Sequence, residues 1–172
     1  MSKRPTSGRR GNAMLEFTLI GIPMIFLVIG TIEMARGMWI YHTLAHAVKE
    51  GARYAVVHGQ GCAIPPNDCR VNISQISRVI RSAGTGLPAN TVTLTFTPAT
   101  GSATSCVLSA CLTNFTTSAW PPDSASAPGV KLKISGSYPF RSAITMFWPG
   151  AGRPVPFRAV TLGADSRESI QY

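Results

Sequence analysis

The most apolar stretch of the chain lies close to its beginning. Residues 14–32 carry one ionisable side chain, Glu16, among residues that are otherwise apolar, glycine, proline or threonine. At a helical rise of about 1.5 Å per residue this stretch spans roughly 28 Å, close to the thickness of a bilayer's hydrocarbon core. It is longer than the apolar part of a secretory signal, and no small-x-small cleavage site follows it. The pattern therefore predicts a transmembrane helix that stays attached.

A helical recurrence of apolar positions continues beyond this stretch. No proline follows until Pro65, and Gly59-Gln60-Gly61 provides a stop signal. The recurrence predicts that the helix runs to about residue 58 and that its far half buries one face. Glu33 with Arg36, and Glu50 with Arg53, are spaced to pair across one helical turn.

The sequence pattern after residue 58 predicts an α+β domain. Apolar positions between residues 72 and 81 predict a short amphipathic helix that ends before Gly84. Residues 92–96, 130–138 and 157–162 are rich in β-branched and aromatic side chains and predict three antiparallel strands. The Ser-, Thr-, Ala- and Pro-rich residues 97–129 predict a long exposed excursion.

Basic residues are concentrated at the start of the chain. The net charge is +9, from 16 Lys and Arg against 7 Asp and Glu, and Lys3, Arg4, Arg9 and Arg10 precede the apolar stretch. Positive charge before a membrane helix holds that end in the cytoplasm and sends the remainder across. The other cations are thinly spread, without the basic cluster and interleaved aromatics of a nucleic-acid surface, so no nucleic-acid partner is expected.

Glu16 is costly inside hydrocarbon, by about 2 to 3 kcal/mol, unless it is paired or neutralised. One explanation is that it lies near the membrane entrance and reaches the headgroups. Another comes from its neighbours, because the basic leader ends in Gly11 and Glu16-Phe17 follows five residues later. This arrangement resembles the processing site of type IV pilins and pseudopilins, in its Flp form.

Two further segments extend the resemblance. Residues 32–39 and residues 49–55, the latter reading Lys-Glu-Gly-Ala-Arg-Tyr-Ala, resemble stretches of TadE-like proteins, which are minor pseudopilins of tight-adherence pili. Met34 stands where an aromatic residue is common, and Lys49 replaces an arginine. The resemblance covers roughly the first 58 residues.

The resemblance implies a function, partners and a location. A prepilin peptidase would cut after Gly11, so that the mature chain begins at Asn12, and Glu16 with Phe17 would serve subunit assembly. The Glu16 carboxylate would neutralise the new amino terminus of a neighbouring subunit. The implied partners are membrane lipid, other pilins and pseudopilins, and the pilus assembly platform in the bacterial inner membrane. The chain would cross that membrane once. It would have a cytoplasmic leader (residues 1–11), a membrane and extension helix (12–58) and a periplasmic domain (59–172). The mature subunit would stay in the inner membrane or enter an extracellular pilus.

Four cysteines lie in the part expected outside the cytoplasm: Cys62, Cys69, Cys106 and Cys111. An even number in an oxidising compartment favours disulfides, and three pairings are possible. We prefer Cys62 with Cys69 and Cys106 with Cys111, because each pair closes a short loop flanked by turn formers. A zinc site is the alternative, although C-x-x-C spacing is absent.

Candidate catalytic chemistry is sparse. His42, His46 and Glu50 recur at helical spacing and could approach a zinc ion from one face, but no further ligand set accompanies them, so we expect neither a metal nor a cofactor. No serine or cysteine has the setting of an activated nucleophile, and the acids show no catalytic spacing. We therefore expect no enzyme. The alternative is a membrane-anchored periplasmic enzyme or binding domain unrelated to pili, which would require a deep pocket.

Overall fold

In the computed structural model of the protein, residues 9–58, 69–142 and 159–171 are described, with side chains from residue 13 onward. In chain order the elements are α1 (Arg9–Val57), α2 (Ile73–Ala83), β1 (Thr93–Thr97), β2 (Thr104–Val107), α3 (Leu108–Asn114), a 3-10 turn (Asp123–Ala125), β3 (Lys131–Phe140) and β4 (Val160–Ser169). A long apolar helix is thus followed by a short helix and a four-stranded antiparallel sheet, which confirms the α+β class.

The described residues fall into two compact units. The first contains residues 9–36 together with Ser142, and the second, called the folded domain below, contains residues 37–58, 69–141 and 159–171.

The sheet has the strand order β2-β1-β3-β4, and each neighbouring pair is antiparallel. Its two faces differ as strand alternation requires. On one face Leu94 and Phe96 of β1 and Ile134 of β3 are completely buried. On the other face a row of polar side chains crosses all four strands, in the order Ser105, Thr95, Ser135 and Asp165.

The far half of α1 covers the apolar face of the sheet. Leu44 and Val48 of the helix are completely buried and belong to the same core cluster as the apolar residues of β1 and β3. Helix and sheet approach closely at Gly136, where an added Cβ would lie 2.8 Å from Val48 Cγ2 and 3.0 Å from Leu44 Cδ1. The prediction that this half of the helix buries one face is confirmed.

Helix α2 starts at a reciprocal cap. The Asn72 side chain accepts a hydrogen bond from the Gln75 backbone N–H at 2.8 Å, and the Gln75 side chain accepts one from the Asn72 N–H at 2.9 Å. At the other end the Gly84 N–H donates to the Ile80 carbonyl at 2.8 Å. These bonds satisfy backbone groups that a helix leaves unpaired at its ends. The predicted helix, with its end before Gly84, is confirmed.

The expectation of a long exposed excursion over residues 97–129 is wrong. This segment contains β2, α3 and the 3-10 turn, and Trp120 within it is only 5% exposed. The sheet therefore has a fourth strand, β2, which pairs with β1. Short strands rich in Ser and Thr lack the apolar alternation that marks longer ones.

The last strand is longer than its sequence pattern indicates. β4 runs from Val160 to Ser169, whereas the prediction was 157–162, and residues 157 and 158 lie outside the described residues. Its second half, Ala164 to Ser169, has mainly small and charged side chains and is ordered by pairing with Lys131 to Gly136 of β3. Pairing to a neighbour, which sequence alone does not show, sets this boundary.

Candidate membrane and subunit interface

The first part of α1 exposes an unusual amount of apolar surface. Phe17 is 78% exposed, Leu19 77% and Met14 77%, and most other large apolar side chains up to residue 32 are exposed as well. The helix is long and apolar enough to cross a membrane. Apolar side chains in contact with water are unfavourable at about 25 cal/mol per Å². This surface therefore requires a cover of lipid or of other protein chains.

The hydroxyl groups on this surface are satisfied within the helix. Thr18 Oγ1 donates to the carbonyls of Met14 (3.1 Å) and Leu15 (3.0 Å), and Thr31 Oγ1 donates to the Val28 carbonyl at 2.8 Å. Such bonds allow a threonine to lie in hydrocarbon without an unpaired polar group.

Glu16 has no such partner among the described residues. It is the one ionisable residue between residues 13 and 32, its side chain is exposed, and no described residue forms a hydrogen bond or an ion pair with it. Phe17, next to it, is exposed too. Glu16 and Phe17 therefore add a carboxylate and an aromatic ring to the exposed apolar surface of α1, which lipid or other protein chains must cover.

The two predicted processing residues lie in the first turn of α1. The helix begins at Arg9, so the backbone of Gly11 and Asn12 is helical, while the Asn12 side chain and residues 1–8 lie outside the described residues. Cleavage after Gly11 therefore stays a prediction.

The polar end of the apolar segment carries a charge pair. Arg36 Nη1 lies 3.1 Å from Glu33 Oε1, and the Glu33 residue is only 8% exposed. Further along α1, Trp39 is 70% exposed and Tyr41 44%. Aromatic residues that follow an apolar span are typical of a membrane–water interface. The predicted pairing of Glu33 with Arg36 is confirmed, and so is that of Glu50 with Arg53, at 3.2 Å.

One of the two predicted disulfides is seen. Cys106 at the end of β2 is bonded to Cys111 of α3, with their Cα atoms 5.6 Å apart. Cys69 is also disulfide-bonded, and Cys62 lies outside the described residues, so its pairing with Cys69 stays a prediction.

The possible ligand row on α1 forms no metal centre in the structure. His42 and His46 are exposed, and Glu50 pairs with Arg53 instead. Over residues 9–58, 69–142 and 159–171, no group of three or more His, Cys, Asp or Glu side chains is arranged to hold a metal ion.

A model of the TadE-like protein family matches residues 11–53 of the chain. Over these residues the N-terminal helix is similar to TadE-like proteins. The matched range starts at Gly11, contains Glu16 and Phe17, and ends with the Glu50–Arg53 turn, so it confirms the resemblance drawn from those residues. No curated protein and no solved structure matches the chain.

The TadE-like match gives a coarse functional context. The family is a structural one associated with tight-adherence pili, and α1, the one helix in the described part of the chain that is long and apolar enough to cross a membrane, fits a single-pass anchor. The match covers residues 37–53 of the folded domain and none of its later residues, so it gives no information about α2, α3 or the sheet.

Proposed function

We propose that the protein is a pseudopilin-like structural component required for assembly of a tight-adherence (Flp, type IVb) pilus, and that it supports surface adherence. The observation that carries the proposal is the exposed apolar surface of α1 within the TadE-like match. A pilus subunit needs such a surface twice, first against lipid in the inner membrane and then against neighbouring subunits in the filament.

The charges along the chain support one orientation in the membrane. The leader, with Lys3, Arg4, Arg9 and Arg10, stays in the cytoplasm, and the folded domain lies in the periplasm. Trp39 and Tyr41 then lie at the periplasmic surface of the bilayer, after the Glu33–Arg36 pair has ended the apolar segment. The disulfide between Cys106 and Cys111 agrees with an oxidising compartment.

Glu16 supplies the specificity of subunit contact. Cleavage after Gly11 gives Asn12 a free, positively charged α-amino group close to the apolar helix. The unpaired Glu16 carboxylate of a neighbouring subunit binds this amino group, and each charge removes the cost of burying the other. Phe17 packs beside the pair and excludes water. The register between subunits is thereby fixed by one charge pair. The partners are the prepilin peptidase, other pilins and pseudopilins, and the inner-membrane assembly platform.

Processing is tested by co-expression with a cognate prepilin peptidase. Intact-mass measurement should show a mature chain that begins at Asn12. Gly11→Ala should block this cleavage, and Gly8→Ala, a substitution of the other glycine in the leader, should leave it unchanged. Recovery of the full-length wild-type chain from cells with active peptidase would contradict processing and leave a permanently anchored subunit.

The pilus function is tested by deletion of the gene in the cell that carries it. Electron microscopy should show loss of pili, and a surface-attachment assay should show loss of adherence, with both restored by the wild-type gene. Wild-type numbers of pili on the deletion strain would overturn the proposal and favour a membrane-anchored periplasmic binding domain.

A further inference from the structure

A pocket in the folded domain lies outside the surface used by the proposed function. It has a volume of about 410 Å³ and is formed by the β1–β2 turn, the start of α2 and the segment from Phe115 to Ser124. Its volume is in the range of ordinary small-molecule sites. The sequence analysis did not predict this pocket, because most of its residues lie in the segment 97–129, which was expected to be an exposed loop.

Backbone hydrogen bonds hold one wall of the pocket against α2. The Trp120 N–H donates to the Val71 carbonyl at 2.8 Å, and the Ser74 N–H donates to the Phe115 carbonyl at 3.1 Å. The Asn72 side chain adds a bond from Nδ2 to the Thr116 carbonyl at 2.6 Å. This wall is therefore fixed before any ligand binds, which reduces the entropy lost on binding.

A second contact fixes the β1–β2 turn, which forms another wall of the pocket. Thr100 Oγ1, in the β1–β2 turn, donates to the Ser124 carbonyl in the 3-10 turn at 3.2 Å. Trp120, at the buried side of the pocket, is only 5% exposed and packs edge-to-face with Phe96, with ring centroids 5.3 Å apart. Phe115 lines the pocket beside it.

The lining has a distinctive chemistry. None of the described residues that line the pocket is ionisable. Five of the lining residues carry hydroxyl groups, and those without a side-chain hydrogen bond to a described residue are Ser102, Thr104, Ser118 and Ser124. A charged ligand would lose its hydration here without meeting a counter-charge from these residues. A wholly apolar ligand would leave the hydroxyls unpaired.

We propose that this pocket binds a neutral sugar. A pyranose ring presents an apolar C–H face, which packs on the half-buried ring of Phe115 beside the buried Trp120, and hydroxyl groups at its edge, which exchange hydrogen bonds with Ser102, Ser118 and Ser124. The neutral lining selects against uronic and sialic acids. This binding is independent of the pilus role, since it involves none of residues 11–36.

The direct test is saturation-transfer NMR on the full chain in dodecylphosphocholine micelles, a detergent without a sugar headgroup. The probes are glucose, galactose, N-acetylglucosamine and cellobiose, with glucuronic acid as the charged counterpart of glucose. We expect at least one neutral sugar to bind with a dissociation constant on the order of 1 mM. Absence of saturation transfer to every neutral sugar at about ten times that concentration would overturn the proposal. Equal binding of glucuronic acid and glucose would overturn it as well.

Two adjacent exposed residues provide a matched pair of variants. Ser118→Trp places an indole ring in the pocket and should weaken binding at least about tenfold, whereas Thr117→Trp adds the same ring outside the lining and should leave binding unchanged. Ser102→Trp fills the pocket from the other wall and repeats the test independently. Wild-type affinity in a folded Ser118→Trp or Ser102→Trp chain would show that sugar binds elsewhere and would overturn the assignment.

Discussion

Gly51 of α1 lies directly against Ile80 of α2. A Cβ atom at Gly51 would overlap the Ile80 side chain, with Ile80 Cδ1 at 2.8 Å, and Ile80 is only 1% exposed. The two helices can approach this closely because residue 51 has no side chain. The glycine of the Glu50-Gly51-Ala52-Arg53 string therefore has a packing role, and it lies inside the TadE-like match.

Gly51→Ala should lower the stability of the folded domain. Overpacking a buried contact costs about 1 to 3 kcal/mol, and the better helix propensity of alanine returns at most about 1 kcal/mol. Thermal unfolding of the full chain in micelles, followed by circular dichroism, should show a transition lowered by several degrees. Gly30→Ala is the control, because a Cβ there meets nothing within 4 Å. An unchanged or raised transition for Gly51→Ala would contradict the packing described.

Ser77 is a buried residue whose substitution should stabilise the folded domain. It is fully buried on α2, and its Oγ has no hydrogen-bond partner among the described residues. An unpaired buried hydroxyl costs about 1 to 3 kcal/mol, and alanine also favours the helix. Ser77→Ala should therefore raise the free energy of unfolding by about 1 kcal/mol. Loss of stability would mean that Ser77 Oγ has a partner.

The Cys106–Cys111 bond should contribute measurably to stability. It closes a loop of sequence separation five, for which chain entropy predicts a contribution of about 2 kcal/mol. Chemical denaturation of the Cys106→Ala/Cys111→Ala double variant should show a loss of that size. An identical free energy of unfolding would contradict it. Non-reducing peptide mapping of the wild-type chain should find this pair and, as the sequence predicts, Cys62 with Cys69.

The pattern of apolar and polar residues predicted those helices and strands whose own residues show a clear helical or alternating spacing. Helix α1 follows from a long apolar stretch and an uninterrupted recurrence of apolar positions, and α2 from its apolar spacing and Gly84. Strands β1 and β3 lie within one or two residues of their predicted bounds, because β3 in particular alternates apolar and polar positions from Lys131 to Ile134.

Elements that depend on distant partners were not predictable in this way. Strand β2 has four residues, one of them a cysteine bonded to α3, and its order comes from pairing with β1. Trp120 is buried against Phe96, and its backbone donates a hydrogen bond to Val71, 49 positions earlier in the chain. The pocket beside Trp120 is made from three such segments, so no sequence motif indicates it.

The candidate interface was accessible from sequence because it is a property of one helix. The apolar stretch, the basic leader, Gly11 and Glu16 are neighbours in the chain, and the family match includes the apolar stretch, Gly11 and Glu16. The surface aromatic residues Trp39 and Tyr41 were missed as interface markers. Their spacing after the Glu33–Arg36 pair is the signal that could have indicated them.

The central claim is that Glu16 pairs with the amino terminus of a neighbouring subunit, and piliation of Glu16→Gln cells tests it most directly. Glutamine keeps the shape of the side chain and loses the charge. Glu16→Ala removes both, and Glu50→Gln is the control, because Glu50 is a half-exposed carboxylate of the same helix that pairs across one turn with Arg53.

The count of pili per cell by electron microscopy is the measurement, with membrane insertion and cleavage monitored in the same strains. Glu16→Gln and Glu16→Ala should insert and be cleaved as wild type, since loss of the charge favours insertion by about 2 to 3 kcal/mol, yet produce no pili. Glu50→Gln should produce them normally. Wild-type piliation by both Glu16 variants would contradict the pairing and leave Glu16 as an interfacial residue that reaches the lipid headgroups.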